Sequence, residues 1–144
     1  QVDYGGWDMH NDVAGSMADK GPALDQALGA LIRDLDSSGL LNETLIVLAS
    51  EFGRSPAINQ NAGRDHHPAA FSYVLAGAGI KGGAVYGKSD EKGHGIDEDP
   101  VGLTDFNSTI TVACGLDPNK EHFAPNGRPF KIGGGGDPIY DVLA

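Results

Sequence analysis

Residues 44–67 read TLIVLASEFGRSPAINQNAGRDHH. The apolar run Leu45–Ala49 has β-strand composition and stops abruptly at Ser50-Glu51. A polar loop follows and ends in Asp65-His66-His67. Near-continuous apolar strands belong to parallel sheets buried on both faces. Open α/β sheets build their sites where such strands end, with a carboxylate delivered from the C-terminal edge. This stretch therefore predicts an α/β fold with Thr44–Ser50 as a central parallel strand. The loop should bring Arg54, Asp65, His66 and His67 back to that edge, and these are the residue types of a metal, phosphate or sulfate site.

Upstream, Pro22 stands where a first helical residue is favoured, and Leu24, Leu28, Leu31, Ile32 and Leu35 follow at helical spacing. The pattern predicts a core-facing helix from Pro22 to Ser37, with Gly39 near its C-cap. Downstream, Phe71–Ala76 reads as a second strand, parallel to the first. Gly82-Gly83 precedes a short strand at Ala84–Tyr86, and residues 87–100 read as a charged loop. Thr104 or Asp105 can cap a helix running to Cys114 and stopped by Gly115. A turn at Asn126–Pro129 leads to a strand at Phe130–Ile132. Gly133–Gly136 reads as a flexible turn, because no Lys-Ser/Thr follows to make it a phosphate loop.

A second Asp/His pair lies in Trp7-Asp8-Met9-His10. If that segment is locally extended, Asp8 and His10 leave one face and can grip a single ion. The plainer alternative is an Asp capping a turn beside a surface His. Glu51 follows an apolar run, so it must reach the sheet edge or pair with a cation or with Arg54. Arg54 is a natural fork for the oxygens of a tetrahedral anion. Asp65, His66 and His67 are consecutive, so one or two of them at most can face one site, leaving the other as an outer partner. His94 and His122 read as bystanders in polar loops.

The chain has 144 residues, a formal net charge of −10, and 22 glycines and 8 prolines. That is one domain's length with much loop and turn. The acidic balance argues against nucleic acid and against anionic membrane surfaces as partners. No apolar run approaches the ~20 residues of a membrane span. Cys114 is the single cysteine, so no intrachain disulfide can form, and its apolar neighbours suggest a packed thiol. No nucleophile elbow, dinucleotide fingerprint or zinc-finger cysteine set is present.

Several motifs occur here in one order. They are Trp7-Asp8-x-His10, Ser50-Glu51-Phe52-Gly53-Arg54, Gly63-Arg64-Asp65-His66, LAGAGIKGG at 75–83, Gly115-Leu116-Asp117-Pro118 and Gly127-Arg128-Pro129. Together they resemble the domain-of-unknown-function 1501 family of bacterial, usually exported proteins, which looks related to the sulfatase and alkaline-phosphatase superfamily. The likeness spans roughly Gly5 to Ile139 and matches the C-terminal third of a typical member. It implies a partial α/β/α sandwich with a mostly parallel sheet, as the alkaline-phosphatase-like C-terminal part of a larger domain. It also implies an exported, periplasmic or cell-surface location.

By the same resemblance Asp8, His10 and His66 look like ligands of one divalent metal, and Glu51 like a ligand of a second. Zinc is the first candidate, with manganese, iron and calcium as the others. Asp65 and His67 are outer partners or alternative ligands, and Arg54 is the catalytic anion-binding residue. Two departures stand out. Phe52 occupies the superfamily's usual His position, and Asp-x-His is tighter than the usual Asp-x-x-x-His. The remaining Asp ligand and the nucleophile would lie in an N-terminal part that this chain lacks. The function implied is a metal-dependent phosphate- or sulfate-ester hydrolase-like protein, with these residues alone inactive. The alternative is a non-catalytic exported binding or structural protein that keeps the fold and one metal. In either case the missing part of the protein, or another chain, would cover an exposed apolar face.

Overall fold

The computed structural model of the chain describes residues 1–144. Its longest element is helix α1, Val13–Ser37. The Leu stripe and the stop are where periodicity puts them, with Ser38 as C-cap and Gly39 left-handed at φ 77°. The start is nine residues earlier than Pro22 suggests, because Asp12 caps the helix by accepting the Gly15 N–H on its side chain at 3.1 Å. Pro22 therefore sits inside the helix, where its missing N–H leaves one turn without its usual bond.

A 3₁₀ turn at Leu40–Asn42 leads into β1, Leu45–Leu48. β1 pairs with β4, Val74–Gly77, and the pairing is antiparallel, with Leu45 opposite Gly77 and Leu48 opposite Val74. Between them lie β2, Gly53–Arg54, and β3, His66–His67, which form a second antiparallel pair. β5, Lys88–Ser89, pairs with β6, Ile96–Glu98, and β7, Glu121–Phe123, with β8, Pro129–Lys131; both pairs are antiparallel. Every sheet has two strands.

This overturns the α/β expectation. There is no parallel sheet and no α/β/α sandwich, only two helices and short antiparallel pairs. An apolar run records that a strand wants cover; it carries no information on the direction of its neighbour. No strand forms at Ala84–Tyr86, while the polar loop expected at 87–100 contains the β5–β6 hairpin. Asp90 makes that hairpin by accepting the backbone N–H groups of Lys92, His94 and Gly95 at 2.7–3.1 Å. A Lys88–Glu98 ion pair at 2.6 Å ties its strands.

Helix α2, Leu103–Ala113, ends at Cys114 and Gly115, as its sequence suggests. It carries the main buried cluster: Phe106, Ser108, Thr109 and Thr111. Tyr73, just before β4, stacks on Phe106 at 4.2 Å and so joins the β1–β4 pair to α2. The C-terminal tail wraps the same helix. The Ser108 hydroxyl donates to the Gly133 carbonyl at 3.0 Å, and the Thr109 hydroxyl accepts from the Ile139 N–H at 2.9 Å. A Cβ on Gly133 or Gly136 would come within 3.0 Å of α2 atoms. The glycine run is thus a close-packed contact rather than a free turn. Cys114, expected to be packed, is exposed.

Only 8 of 144 residues are buried, and among large apolar side chains only Met9 and Phe106. The chain exposes 9728 Å², against about 7,000 Å² for a closed monomer of this size. None of the residues of α1 is buried, so its apolar stripe has no sheet against it. No helix is long and apolar enough to cross a membrane.

Candidate metal centre

Two loops stapled by backbone hydrogen bonds build the site. The Asp12 N–H donates to the Asn61 carbonyl at 3.0 Å and the Val13 N–H to Ala62 at 2.9 Å. These bonds satisfy donors at the head of α1 that would otherwise lack partners. The Arg64 N–H donates to the Met9 carbonyl at 2.9 Å. Between these staples Gly63 is buried flat against the other loop. A Cβ there would lie under 3.0 Å from the carbonyl carbon and oxygen of His10 and from the Asn11 nitrogen. Asn59 shapes its own loop, accepting the Asn61 and Gly63 N–H groups at 2.9 Å each. The Arg64 guanidinium closes the loop base by donating to the Ser55 and Pro56 carbonyls at 2.6 and 2.7 Å.

On the other segment, Met9 is buried between Asp8 and His10 and anchors both. Trp7 is half-buried, donates to the Tyr4 carbonyl at 2.6 Å, and meets Tyr4 edge to face. Lys20 of α1 lies over both rings and donates to Gly5 at 2.9 Å. The segment before the helix is therefore held against it.

Asp8 Oδ1 is the hub. Arg54 Nη2 donates to it at 2.6 Å, while His66 Nε2 and His10 Nε2 lie 2.8 and 3.0 Å away. The ligand atoms of Asp8, His10 and His66 all lie within 4.8 Å of one another. Their chemistry fits a borderline divalent ion. Metal bonds of ~2.0–2.2 Å place adjacent ligand atoms about 3.0 Å apart at right angles and about 3.4 Å apart in a tetrahedron. The observed 2.8 and 3.0 Å spacings from Asp8 need to open by a few tenths of an ångström, and the spacing between the two imidazoles, within 4.8 Å, must fall in the same range.

Arg54 is held in place by its second donor, Nη1 to the Arg64 carbonyl at 3.2 Å. Asp65 stands behind His10, with Oδ1 2.8 Å from His10 Nδ1 and accepting from Asn59 Nδ2 at 3.0 Å. His67 alternates away from His66 along β3 and reaches the His94 carbonyl at 3.0 Å. Glu51 is exposed in a bend beyond β1 and is not among the clustered ligands; the carboxylate paired with Arg54 is Asp8. Phe52 is at the site, its ring 4.4 Å from that of His66, but it offers no donor atom.

Asn59 and Gly63 build the site without having been singled out from the sequence. Their signal was the turn-forming stretch Asn59-Gln60-Asn61-Ala62-Gly63, which marks a tight loop but not what it packs against.

The hydrogen bond from His66, then that from Arg54, hold the Asp8 carboxyl down at about 2, from an ordinary 3.8. Asn59 and then His10 lower Asp65, and the backbone N–H of His94 leads the set that lowers Asp90. A folded-state pKa below the unfolded one stabilises the fold above the unfolded value, and that stability is lost as pH falls through the folded value. For Asp8 the loss should run from pH 3.8 down toward about 2. Carboxyl NMR titration checks this; an Asp8 midpoint at its ordinary value would show that the hub does not persist in solution.

No match to the chain was found among curated proteins or among solved structures. The family profile described as "Protein of unknown function (DUF1501)" matches residues 1–143. The chain accordingly belongs to the DUF1501 family.

Proposed function

We propose that this chain carries a one-metal centre of a metal-dependent phosphate- or sulfate-ester hydrolase-like protein, and that these residues alone do not turn over substrate. The observation supporting it most is the meeting of Asp8, His10 and His66 from segments more than fifty residues apart. Two imidazoles and one carboxylate leave coordination positions open, as catalytic zinc and non-haem iron sites do. A bound ion would supply Lewis-acid polarisation of an ester oxygen. Asp8, His10 and His66 would hold it through Oδ1 and the two Nε2 atoms. Arg54, beside Asp8, would offer its guanidinium to the oxygens of a tetrahedral anion. Ser50, which directly precedes Glu51, donates its hydroxyl to the Phe52 carbonyl at 3.2 Å, whereas an activated nucleophile would give that hydrogen bond to a base.

The reading includes export, as the family resemblance implies. It also includes a covering polypeptide, from the rest of the protein or another chain, since no residue of the apolar stripe of α1 is fully buried and Leu31 is exposed. A second reading, a non-catalytic protein retaining one metal, is favoured by Glu51 standing apart from the cluster and by Phe52, which offers no ligand atom, packing beside His66.

Calorimetric titration of the chain with zinc, manganese, iron(II) and calcium tests the metal. One zinc per chain is expected, lost in His66→Ala; no binding of any of these ions would overturn the proposal. Purified chain should leave aryl phosphate and aryl sulfate esters intact. Turnover abolished by Asp8→Ala would mean that the chain carries its own nucleophile. A longer family protein that binds one metal but hydrolyses neither ester would favour the second reading.

A further inference from the structure

We infer that Asp65, locked by Asn59, is a positioning residue that fixes which nitrogen of His10 faces the metal, and that it is not a ligand itself. The inference rests on the metal reading above and assigns the role of one residue within it. His10 offers two nitrogens on opposite sides of its ring. Nε2 lies 3.0 Å from Asp8 Oδ1, on the side where the ligand atoms meet, and Nδ1 lies 2.8 Å from Asp65 Oδ1. A carboxylate can only accept, so Asp65 requires the proton on Nδ1. Asp8 Oδ1, facing Nε2, can also only accept, so an ion bound beside Asp8 and His66 would take the place of any proton on Nε2, while Asp65 keeps the remaining proton on Nδ1. Free to rotate, the ring could present either nitrogen, and the half-exposed His10 side chain, at 39%, has no wall of packed atoms to prevent it.

Asp65 would be a poor lock if it could swing. Asn59 Nδ2 donates to the same oxygen at 3.0 Å and also to the His10 carbonyl at 3.1 Å. One amide thus grips both the carboxylate and the backbone of the residue that the carboxylate orients. Asn59 in turn cannot flip its amide, because its Oδ1 is occupied by the Asn61 and Gly63 N–H groups. Turning it over would set two donors against two donors. The Gly63 and Asn61 N–H groups thus donate to Asn59, Asn59 donates to Asp65, and Asp65 accepts from His10, so each bond has one possible direction and the set ends on the ligand. His66 is bonded to Asp8 through Nε2 and packs against Phe52, with ring centroids 4.4 Å apart and the planes tilted by 43°. The two imidazoles are held by different means, and only His10 depends on Asp65.

Zinc-loaded chain with ¹⁵N-labelled histidine tests this directly. Long-range ¹H–¹⁵N correlations should show His10 bound through Nε2, with a hydrogen-bonded proton on Nδ1. Binding of His10 through Nδ1 would overturn the inference, with no substitution needed. Outer partners of a ligating His are worth about 10–100-fold in metal affinity. Asp65→Ala should therefore weaken zinc binding within that range, and the His10 signals of its zinc complex should report mixed nitrogen ligation. Asp65→Asn keeps an acceptor oxygen and should recover part of the affinity and the single Nδ1–H form. A general loss of structure would not be relieved by so small a change. Wild-type zinc affinity in Asp65→Ala would overturn the inference while leaving the metal centre standing. Failure of the unaltered chain to bind zinc would overturn the metal reading itself, and this inference with it.

Discussion

Gly63→Ala should abolish zinc binding and destabilise the chain, although the substitution adds one methyl group at a position with no ligand atom. Its Cβ would fall against the His10 carbonyl and the Asn11 nitrogen. These are backbone atoms and cannot swing aside as the end of a side chain can. The loop carrying Asp65 and His66 must then lift from the loop carrying Asp8 and His10. That strains the Arg64–Met9 and Val13–Ala62 bonds and parts the ligands. Overpacking of this kind costs about 1–3 kcal/mol, occasionally more. Thermal unfolding and zinc calorimetry on the same sample check both effects. Zinc affinity within a few-fold of the unaltered chain would show that the two loops adjust independently, and that the close approach at Gly63 is not what assembles the site.

The second large effect is expected at Asp8. Asp8→Ala removes the one carboxylate of the ligand set, and with it the oxygen that pairs with Arg54 and His66 and lies 3.0 Å from His10 Nε2. What remains around the site is the Arg54 guanidinium and two imidazoles, with Asp65 behind His10 and no carboxylate left among the ligand atoms to offset the ion's charge. Zinc affinity should fall by more than the ~100-fold that loss of an outer partner can cost. Asp8→Asn should do nearly the same, because the amide keeps the shape but not the charge. The Asp8 side chain is 65% exposed, so its removal should change folding stability far less than metal affinity. That contrast separates it from Gly63→Ala, in which both fall together. An Asp8→Ala chain that still binds zinc with its original affinity would exclude Asp8 as a ligand.

The two substitutions divide the site by cause. Asp8 supplies charge and a ligand atom. Gly63 supplies the absence of a side chain, without which the charge would have nothing to meet. The same division accounts for how much of the site was readable beforehand. Asp8 and His10 carry chemistry in their side chains, and their spacing paired them; that His66 rather than Asp65 or His67 joins them was implied only by the family resemblance. Asn59 and Gly63 act through backbone contacts with a segment some fifty residues away, and no local pattern states which segment that is.

The sequence by itself determined the local features. These are the Leu stripe of α1 and its end at Ser37, the stop of α2 at Gly115, and the apolar stretch that becomes β1. Each depends on near neighbours: helical spacing, a glycine free to turn left-handed, a run of β-formers. Only the tertiary structure decided the rest. It set β1 and β4 antiparallel, because hydrogen bonding between strands is a relation between distant segments and an apolar run fits either direction. It began α1 at Val13, because Asp12 caps it and the loop at 61–62 accepts the N–H groups at its head. It left Glu51 outside and turned His67 to the opposite side, because alternation along β3 lets only one of two adjacent histidines face Asp8. And it packed Gly133 and Gly136 onto α2, where the lack of a side chain serves close contact rather than flexibility.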